Sequence, residues 1–264
     1  VRRGLESLLD LPHETIHKID LSGKKLRYVS SLPEIHQVTG EKILAVRRRA
    51  KYLLLETNSF FILSHLGMTG SWRIESDVRK HDHIRIHLSN QQVLTYHDPR
   101  RFGMFLVVDK SRLERSPYLA HLGPDPVLDE SFNADYLYSL CKKRKTTIKA
   151  LIMNQEVVVG VGNIYASEAL FLAGIHPAKA CHRISRKKIE LLVDAIRQVL
   201  LEAIACGGTT ISDFTQAGGS SGYFQNFLLV YGRDREACHF CGTMIRSRAI
   251  VGRNSFWCPK CQKM

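Results

Sequence analysis

The sequence predicts an α+β multidomain protein: an N-terminal antiparallel β-sandwich, a C-terminal helical domain, and a zinc-ribbon hairpin at the end of the chain. Three observations carry this expectation. Apolar residues recur in short runs of strand period between residues 14 and 109, then at three and four spacing beyond residue 134. Cys238-His-Phe-Cys241 is followed after sixteen residues by Cys258-Pro-Lys-Cys261. Two C-x-x-C pairs at that separation let two tight turns close a tetrahedron of thiolates on zinc, with no open position for chemistry.

The bulk numbers narrow the partner. With 264 residues and 44% hydrophobic content the chain is long enough for two packed domains and a small ribbon, which excludes a disordered tail. Lysine and arginine outnumber aspartate and glutamate by 38 to 25, a net charge of +13, and an excess this large in a folded protein points first to nucleic acid. A membrane surface is the competing polyanion. The sequence shows no basic amphipathic helix with a broad apolar face, no apolar run near eighteen residues and no signal peptide, so no membrane partner is expected and the expected place is the cytoplasm. Cys141, Cys181 and Cys206 are scattered without a pairing pattern, as reduced thiols of a reducing compartment would be.

Along the chain, Leu5, Leu8 and Leu9 give residues 1–10 a short helical pattern. Strands are then expected at Lys25–Val29, Ile43–Arg47, Tyr52–Glu56, Phe60–His65, Gly70–Ile74, His83–Leu88, Gln92–His97 and Met104–Val108, with turns at Thr57-Asn-Ser59 and Ser89-Asn-Gln91. Residues 110–134, with Pro117, Gly123, Pro124 and Pro126, hold the breakers of a linker. Helices are expected at Ala134–Lys142, Ile148–Met153, Tyr165–Ala173 and Ser185–Ala205, with Ser185 capping the longest. From Gly207 to Tyr223 the chain is rich in Gly, Ser and Thr, the composition of a functional loop. Between the cysteine pairs, residues 242–257 alternate as a hairpin does and carry Arg246, Arg248 and Arg253 but no acid, a rigid finger presenting positive charge to phosphate. Expected domain limits are 1–115, 116–229 and 230–264, with the loop 207–223 in the second.

Several stretches have the makings of chemistry. On a strand, Arg47, Arg49 and Lys51 share one face, and partial burial of Lys51 before Tyr52-Leu-Leu-Leu55 would lower its pKa. A solvated basic face is the plain alternative. His65-Leu-Gly-Met-Thr-Gly70 leaves a strand through two glycines; Met68 there is either a wedge for a gap in a base stack or a core residue. Asp98-Pro-Arg-Arg-Phe-Gly103 sets an arginine able to bond a base edge beside a ring able to stack. His81 and His83 share a strand face, but without a third ligand His81 is a phosphate contact or a satisfied histidine rather than a metal ligand. Lys142-Lys-Arg-Lys145, at a helix end, has the charge of a phosphate clamp. Gly160-Val-Gly-Asn163 turns into a helix so that free amides and Asn163 face an anion, and with the helix before it makes a helix, turn, helix unit.

Together with Arg2-Arg-Gly-Leu5, Arg48-Arg-Ala-Lys-Tyr52, His121-Leu-Gly-Pro124, Gly207-Gly-Thr-Thr210 and Val230-Tyr-Gly-Arg233, these stretches resemble, over essentially the whole chain, the formamidopyrimidine-DNA glycosylases, bacterial base-excision enzymes for 8-oxoguanine and ring-opened purines. The resemblance implies a β-sandwich, a helical domain with a helix-two-turn-helix, and a zinc finger, with duplex DNA held in the cleft between them. It implies that Lys51 assists β-elimination, that Arg253 contacts the lesion phosphate and serves δ-elimination, and that Met68, Arg100 and Phe102 fill the gap left by the flipped nucleotide, Arg100 facing the orphaned cytosine. His81, Arg100, Arg144 and Asn163 correspond to DNA-binding positions, Arg144 standing where a lysine is common. The loop 207–223 resembles the lesion-capping loop, which favours the oxidised-purine branch over the oxidised-pyrimidine glycosylases. One structural zinc on Cys238, Cys241, Cys258 and Cys261, no small-molecule cofactor, and a monomer complete the expectation.

Members of the family carry Pro-Glu-Leu-Pro-Glu-Val-Glu-Thr ahead of Arg-Arg-Gly, and the proline's secondary amine is the nucleophile that forms an iminium at the sugar C1′. The chain as written starts at Val1, without that segment. The expectation is an enzyme whose complete gene product carries the proline, the chain as written being impaired; the alternative is a binder of damaged or abasic DNA that does not cut.

Overall fold

Two antiparallel hairpin systems face each other across the core of the first unit, residues 1–120, in a computed structural model that describes residues 1–208 and 224–264. Strands β1 (Ile16–Leu21), β6 (Ser71–Ile74), β7 (Asp82–Leu88) and β8 (Val93–His97) form one sheet in the order β1-β7-β8-β6. Strands β2 (Tyr28–Val29), β3 (Ala45–Arg49), β4 (Tyr52–Glu56), β5 (Phe60–His65) and β9 (Met104–Asp109) form the other in the order β2-β9-β5-β4-β3. The sandwich is antiparallel except at its edge, where the two residues of β2 pair parallel with β9.

Ile16, Ile84, Ile86, Leu94 and Tyr96 from one sheet and Val46, Leu53, Leu55, Ile62 and Phe105 from the other make one apolar core. Leu5 of α1 (Arg2–Leu8) and Ile35 of α2 (Leu32–His36) join it. Each such side chain contributes about 1.5–3 kcal/mol by leaving water.

Two expectations are corrected here. The strand β1 and the short helix α2 were not expected. Lys51 does not share a strand face with Arg47 and Arg49, because β3 ends at Arg49, Ala50 takes a left-handed φ of 53°, and Lys51 lies in the two-residue turn before Tyr52.

The second unit, residues 121–208 with 224–264, is built on α3 (Ala134–Lys142), α4 (Ile148–Ile152), α5 (Asn163–Leu172) and α6 (Arg186–Ala205). Asn133, Thr147 and Ser185 cap α3, α4 and α6 by accepting from the amides of Tyr136, Ala150 and Lys188. The short α4 and the turn into α5 give the helix, turn, helix unit its shape.

The chain then reaches a hairpin of β10 (Arg246–Ile250) and β11 (Arg253–Trp257). Its two-residue turn, Val251 at φ 49° and Gly252 at φ 70°, has both residues left-handed, as a turn matching strand twist requires. Phe256, Ile245 and Val230 pack with Phe171 of α5 in a small core of their own.

No helix among the described residues is long and apolar enough to cross a membrane. Of the expected loop at 207–223, Gly207 and Gly208 are described, at φ 73° and 101°; residues 209–223 lie outside the described residues.

Candidate nucleic-acid interface and metal centre

Two loops of the first unit lock together and leave three side chains outside the lock. In the loop after β5, the Gly70 amide donates to Leu66 O at 2.8 Å; in the loop after β8, the Arg101 amide donates to Asp98 O at 3.2 Å. The fully buried Asp98 carboxylate joins them, accepting from Thr69 Oγ1 at 2.9 Å and from the Gly103 amide at 2.8 Å. The approach is close enough to demand glycine: a Cβ on Gly67 would lie 2.8 Å from the Phe102 carbonyl carbon, and one on Gly103 would lie 1.7 Å from the Tyr96 hydroxyl. Outside the lock stand Met68 at 63% exposure and Phe102 at 45%, with the Arg100 guanidinium 5.0 Å from the centre of the Phe102 ring. Met68 is therefore not a core residue.

Lys51 is exposed rather than partly buried as expected; Leu53, Leu54 and Leu55 turn into the core and leave the lysine in the turn. It stands near His65, the residue that opens the Met68 loop. Burial first, then the charges of Lys51 and Arg27, hold the His65 imidazole below its ordinary pKa. His65 Nδ1 accepts the Gly67 amide at 3.0 Å, so the neutral ring keeps its proton on Nε2 as a donor.

His81 does not share a strand face with His83. It precedes β7 in a left-handed conformation, φ 85°, and its carbonyl accepts the Asp98 amide at 3.0 Å, which ties it to the Arg100 loop. His83 is buried with both ring nitrogens engaged, by Ser22 Oγ at 2.9 Å and Asp98 O at 3.0 Å. That settles His83 as a satisfied core histidine and ends the idea of a histidine metal pair. Slight burial and then the charges of Lys80, His97, Lys24 and Arg101 lower the His81 pKa, favouring the neutral ring.

In the second unit the hairpin is tied to the turn between α4 and α5. Asn163, the first residue of α5, donates from Nδ2 to Asn254 O at 3.1 Å, while its buried Oδ1 has no hydrogen-bond partner. Arg253 is the next residue back, exposed at the start of β11. Asn163 and Arg253 are thus brought together.

Beneath them lies a residue the sequence did not single out. Lys149 is 1% exposed, and its ammonium donates to Ser255 Oγ at 2.7 Å, Ser167 Oγ at 3.2 Å and Asn254 O at 3.3 Å. Burial first, and the Arg253 charge second, lower its pKa to about 8. Its signal in the sequence is a lysine directly after Ile148 on the inward side of an otherwise apolar helix, which names no partner.

Glu168 of α5 is also buried. Its carboxylate accepts the amides of Leu229, Tyr231 and Val230 at 2.7, 2.8 and 3.1 Å, fixing the chain that enters the hairpin. Arg144 is half-buried in the loop after α3, where its charge acts on Cys141 and Cys181.

The four hairpin cysteines fit a metal. The sulfurs of Cys238, Cys241, Cys258 and Cys261 lie within 4.8 Å of one another, and Cys241 is 3.5 Å from both Cys258 and Cys261. A zinc tetrahedron with Zn–S near 2.3 Å has sulfurs ~3.8 Å apart. The Gly242 amide donates to Cys238 O at 2.8 Å and the Gln262 amide to Cys258 O at 2.9 Å, the tight turns the spacing called for.

Family models match three stretches of the chain. Residues 1–105 match the N-terminal domain of formamidopyrimidine-DNA glycosylase, residues 122–215 its H2TH domain, and residues 235–263 the zinc finger found in FPG and IleRS. The chain is 47% identical over 266 residues to a formamidopyrimidine-DNA glycosylase of Bdellovibrio bacteriovorus, covering 100% of this chain and 97% of the relative. It is 48% identical over 268 residues to one of Cronobacter sakazakii, covering 99% and 96%. The solved complex of Lactococcus lactis Fpg with DNA containing an abasic site superposes with a TM-score of 0.90 at 32% identity, covering 100% of this chain and 97% of that one. The MutM (Fpg) protein of Thermus thermophilus superposes with a TM-score of 0.88 at 34% identity, covering 99% and 95%. The four cysteines hold one structural zinc. Matched by family models and by relatives along its whole length, the chain belongs to the formamidopyrimidine-DNA glycosylase family.

Proposed function

We propose that this protein works in base-excision repair as a bifunctional DNA glycosylase and AP lyase, removing 8-oxoguanine and formamidopyrimidines from duplex DNA and nicking by β,δ-elimination. The observation that carries the reading is the loop lock of the first unit, which presents a thioether, a guanidinium and a phenyl ring on backbone that the Asp98 carboxylate holds rigid. A base leaves the stack only if something takes its place, and a rigid apolar wedge lowers the cost of the gap.

In this reading Met68 and Phe102 enter the gap and Arg100 donates to the acceptors of the orphaned cytosine. His81, Arg144 and Asn163 contact phosphates, as does the Nε2–H of His65. In members of the family the sugar is held as an imine on an N-terminal proline amine. Lys51, an exposed ammonium beside His65, moves protons in β-elimination. Arg253 grips the lesion phosphate through a paired, planar set of donors and favours its departure in the δ step. The zinc supplies no step; its cysteines hold the hairpin that carries Arg253.

The functional domains are 1–115, 116–229 and 230–264, the loop 207–223 caps the extruded purine, and the protein acts as a cytoplasmic monomer on chromosomal DNA.

The test uses the zinc-loaded protein and a duplex with a single 8-oxoguanine opposite cytosine, treated with borohydride. A covalent protein–DNA adduct with released base is expected. Tight binding with neither adduct nor base release would replace the enzyme by a non-catalytic damage binder. Trapping on oxidised pyrimidines in preference to 8-oxoguanine would move it to the neighbouring branch.

A further inference from the structure

In the second unit the end of α3 meets the 3-10 turn Cys181–Arg183, and two cysteines that the sequence left unpaired meet there. Cys141 and Cys181 are each 0% exposed and belong to the same apolar core. The two thiols act on each other, Cys141 being raised and Cys181 lowered in pKa by the other's presence.

The backbone holds them in place from both sides. The Cys181 amide donates to Thr146 O at 3.0 Å, the Ile148 amide donates to Lys179 O at 2.9 Å, and Thr147 and Ala180 pair as an antiparallel bridge. Lys142 Nζ reaches His182 O at 3.3 Å across the same seam. Neither thiol belongs to the zinc site or has a part in the reaction proposed above.

We propose that Cys141 and Cys181 form a redox site, a buried dithiol that hydrogen peroxide converts to a disulfide joining the end of α3 to the turn beyond α5, at the base of the basic loop 142–145.

The chemistry balances without any other reactant. The neighbouring Cys141 thiol lowers the Cys181 pKa while that of Cys141 is raised, and the Arg144 charge favours the thiolate at either sulfur, so Cys181 attacks first. Its sulfur takes one peroxide oxygen as the O–O bond breaks; the departing hydroxide takes the thiol proton and leaves as water, giving Cys181 sulfenic acid. Cys141 sulfur then attacks Cys181 sulfur, the S–O bond breaks, and the hydroxide released takes the Cys141 proton as a second water. Two thiols lose two electrons and two protons, and one peroxide gains both.

Burial makes the first step wait on local opening of the end of α3, so the bond accumulates under sustained oxidant rather than in a brief pulse. The ring it closes contains α4 and α5, the elements to which the hairpin is tied. Any effect on DNA rests on the glycosylase reading; the disulfide does not.

The test reads sulfur chemistry alone, so it stands or falls apart from glycosylase activity. The zinc-loaded full chain is exposed to hydrogen peroxide under native conditions, free thiols are alkylated, and peptides are mapped without reduction. The expected product is a joined pair of peptides bearing Cys141 and Cys181, lighter by about 2 Da than the two reduced peptides together and separated again by dithiothreitol. In Cys181→Ser, and in Cys141→Ala should the first variant fold poorly, the joined pair is absent. Two outcomes overturn the proposal: Cys141 and Cys181 both alkylated after half-buried Cys206 has been fully oxidised, or either of them joined to Cys206 instead.

Discussion

A lysine ammonium that is 1% exposed needs three acceptors, and Lys149 finds them in Ser255, Ser167 and Asn254 O, two of the three on the hairpin strand β11. The residue thereby fixes the strand that begins with Arg253. Its titration is also a statement about stability. The unfolded lysine keeps its proton up to about 10.5 and the folded one only to about 8. Between those values the unfolded chain binds more protons, so this group makes stability rise with pH there; below 8 both states are charged and its cost is constant. Other groups titrate in the same range, so the measurement is a difference. The unfolding free energy of the wild type minus that of Lys149→Met, from urea titrations, is expected to grow by on the order of 1–3 kcal/mol from pH 8 to pH 10. A flat difference would mean that the ammonium is solvated in the folded protein and does not pin β11.

At the scale of the element, the locked loops make a sharper demand than any one side chain. Gly67 and Gly23 share a left-handed φ, 63° and 73°, but a Cβ on Gly67 would strike Phe102 backbone at 2.8 Å while one on Gly23 would meet nothing within 4 Å. Alanine at either costs about 1 kcal/mol for its backbone conformation. Only at Gly67 must the partner loop also move. Gly67→Ala is therefore expected to weaken binding to abasic duplex by about tenfold or more, with Gly23→Ala within about twofold of wild type, in a titration of labelled DNA. Equal behaviour of the two variants would mean that the spacing of the loops is immaterial. The hairpin depends on its metal in the same way, since its core beyond the cysteines is only a few side chains. Stripping zinc with a chelator should abolish DNA binding while the melting of the β-sandwich is retained, and added zinc should restore it. The sandwich, the helices and the hairpin were legible because their apolar periods run unbroken over five or more residues. The strand β1 was not, because the register shifts between Ile16 and Lys18 and the bulge breaks the alternation that marks a strand. Lys51 was read onto a strand face for a related reason: the left-handed Ala50 that ends β3 leaves no mark in the sequence. The loops that expose Met68, Arg100 and Phe102 were legible as motifs, whereas the partners of Lys149 and the meeting of Cys141 with Cys181 depend on contacts made at long range.

For the whole molecule the excess of 38 basic over 25 acidic residues predicts binding that is strong and largely blind to sequence, weakening steeply as salt rises. Discrimination must come from elsewhere, and the two jobs fall to different side chains. In the proposed reading Arg144, half-buried on a basic loop, offers charge to a phosphate, and Phe102, exposed beside Arg100, offers a surface to a gap. Arg144→Gln should lower the magnitude of the slope of log K against log salt by about 0.9, weakening intact and abasic duplexes alike. Phe102→Ala removes no charge, so its slope should equal that of the wild type while the preference for abasic over intact duplex falls by about five- to tenfold, the 1–1.5 kcal/mol of a lost stacking contact. Binding isotherms at four salt concentrations on the two duplexes separate these terms. If Phe102→Ala changed the slope, or Arg144→Gln changed the preference, charge and wedge would not be independent, and the division of labour between the basic surface and the locked loops would have to be given up.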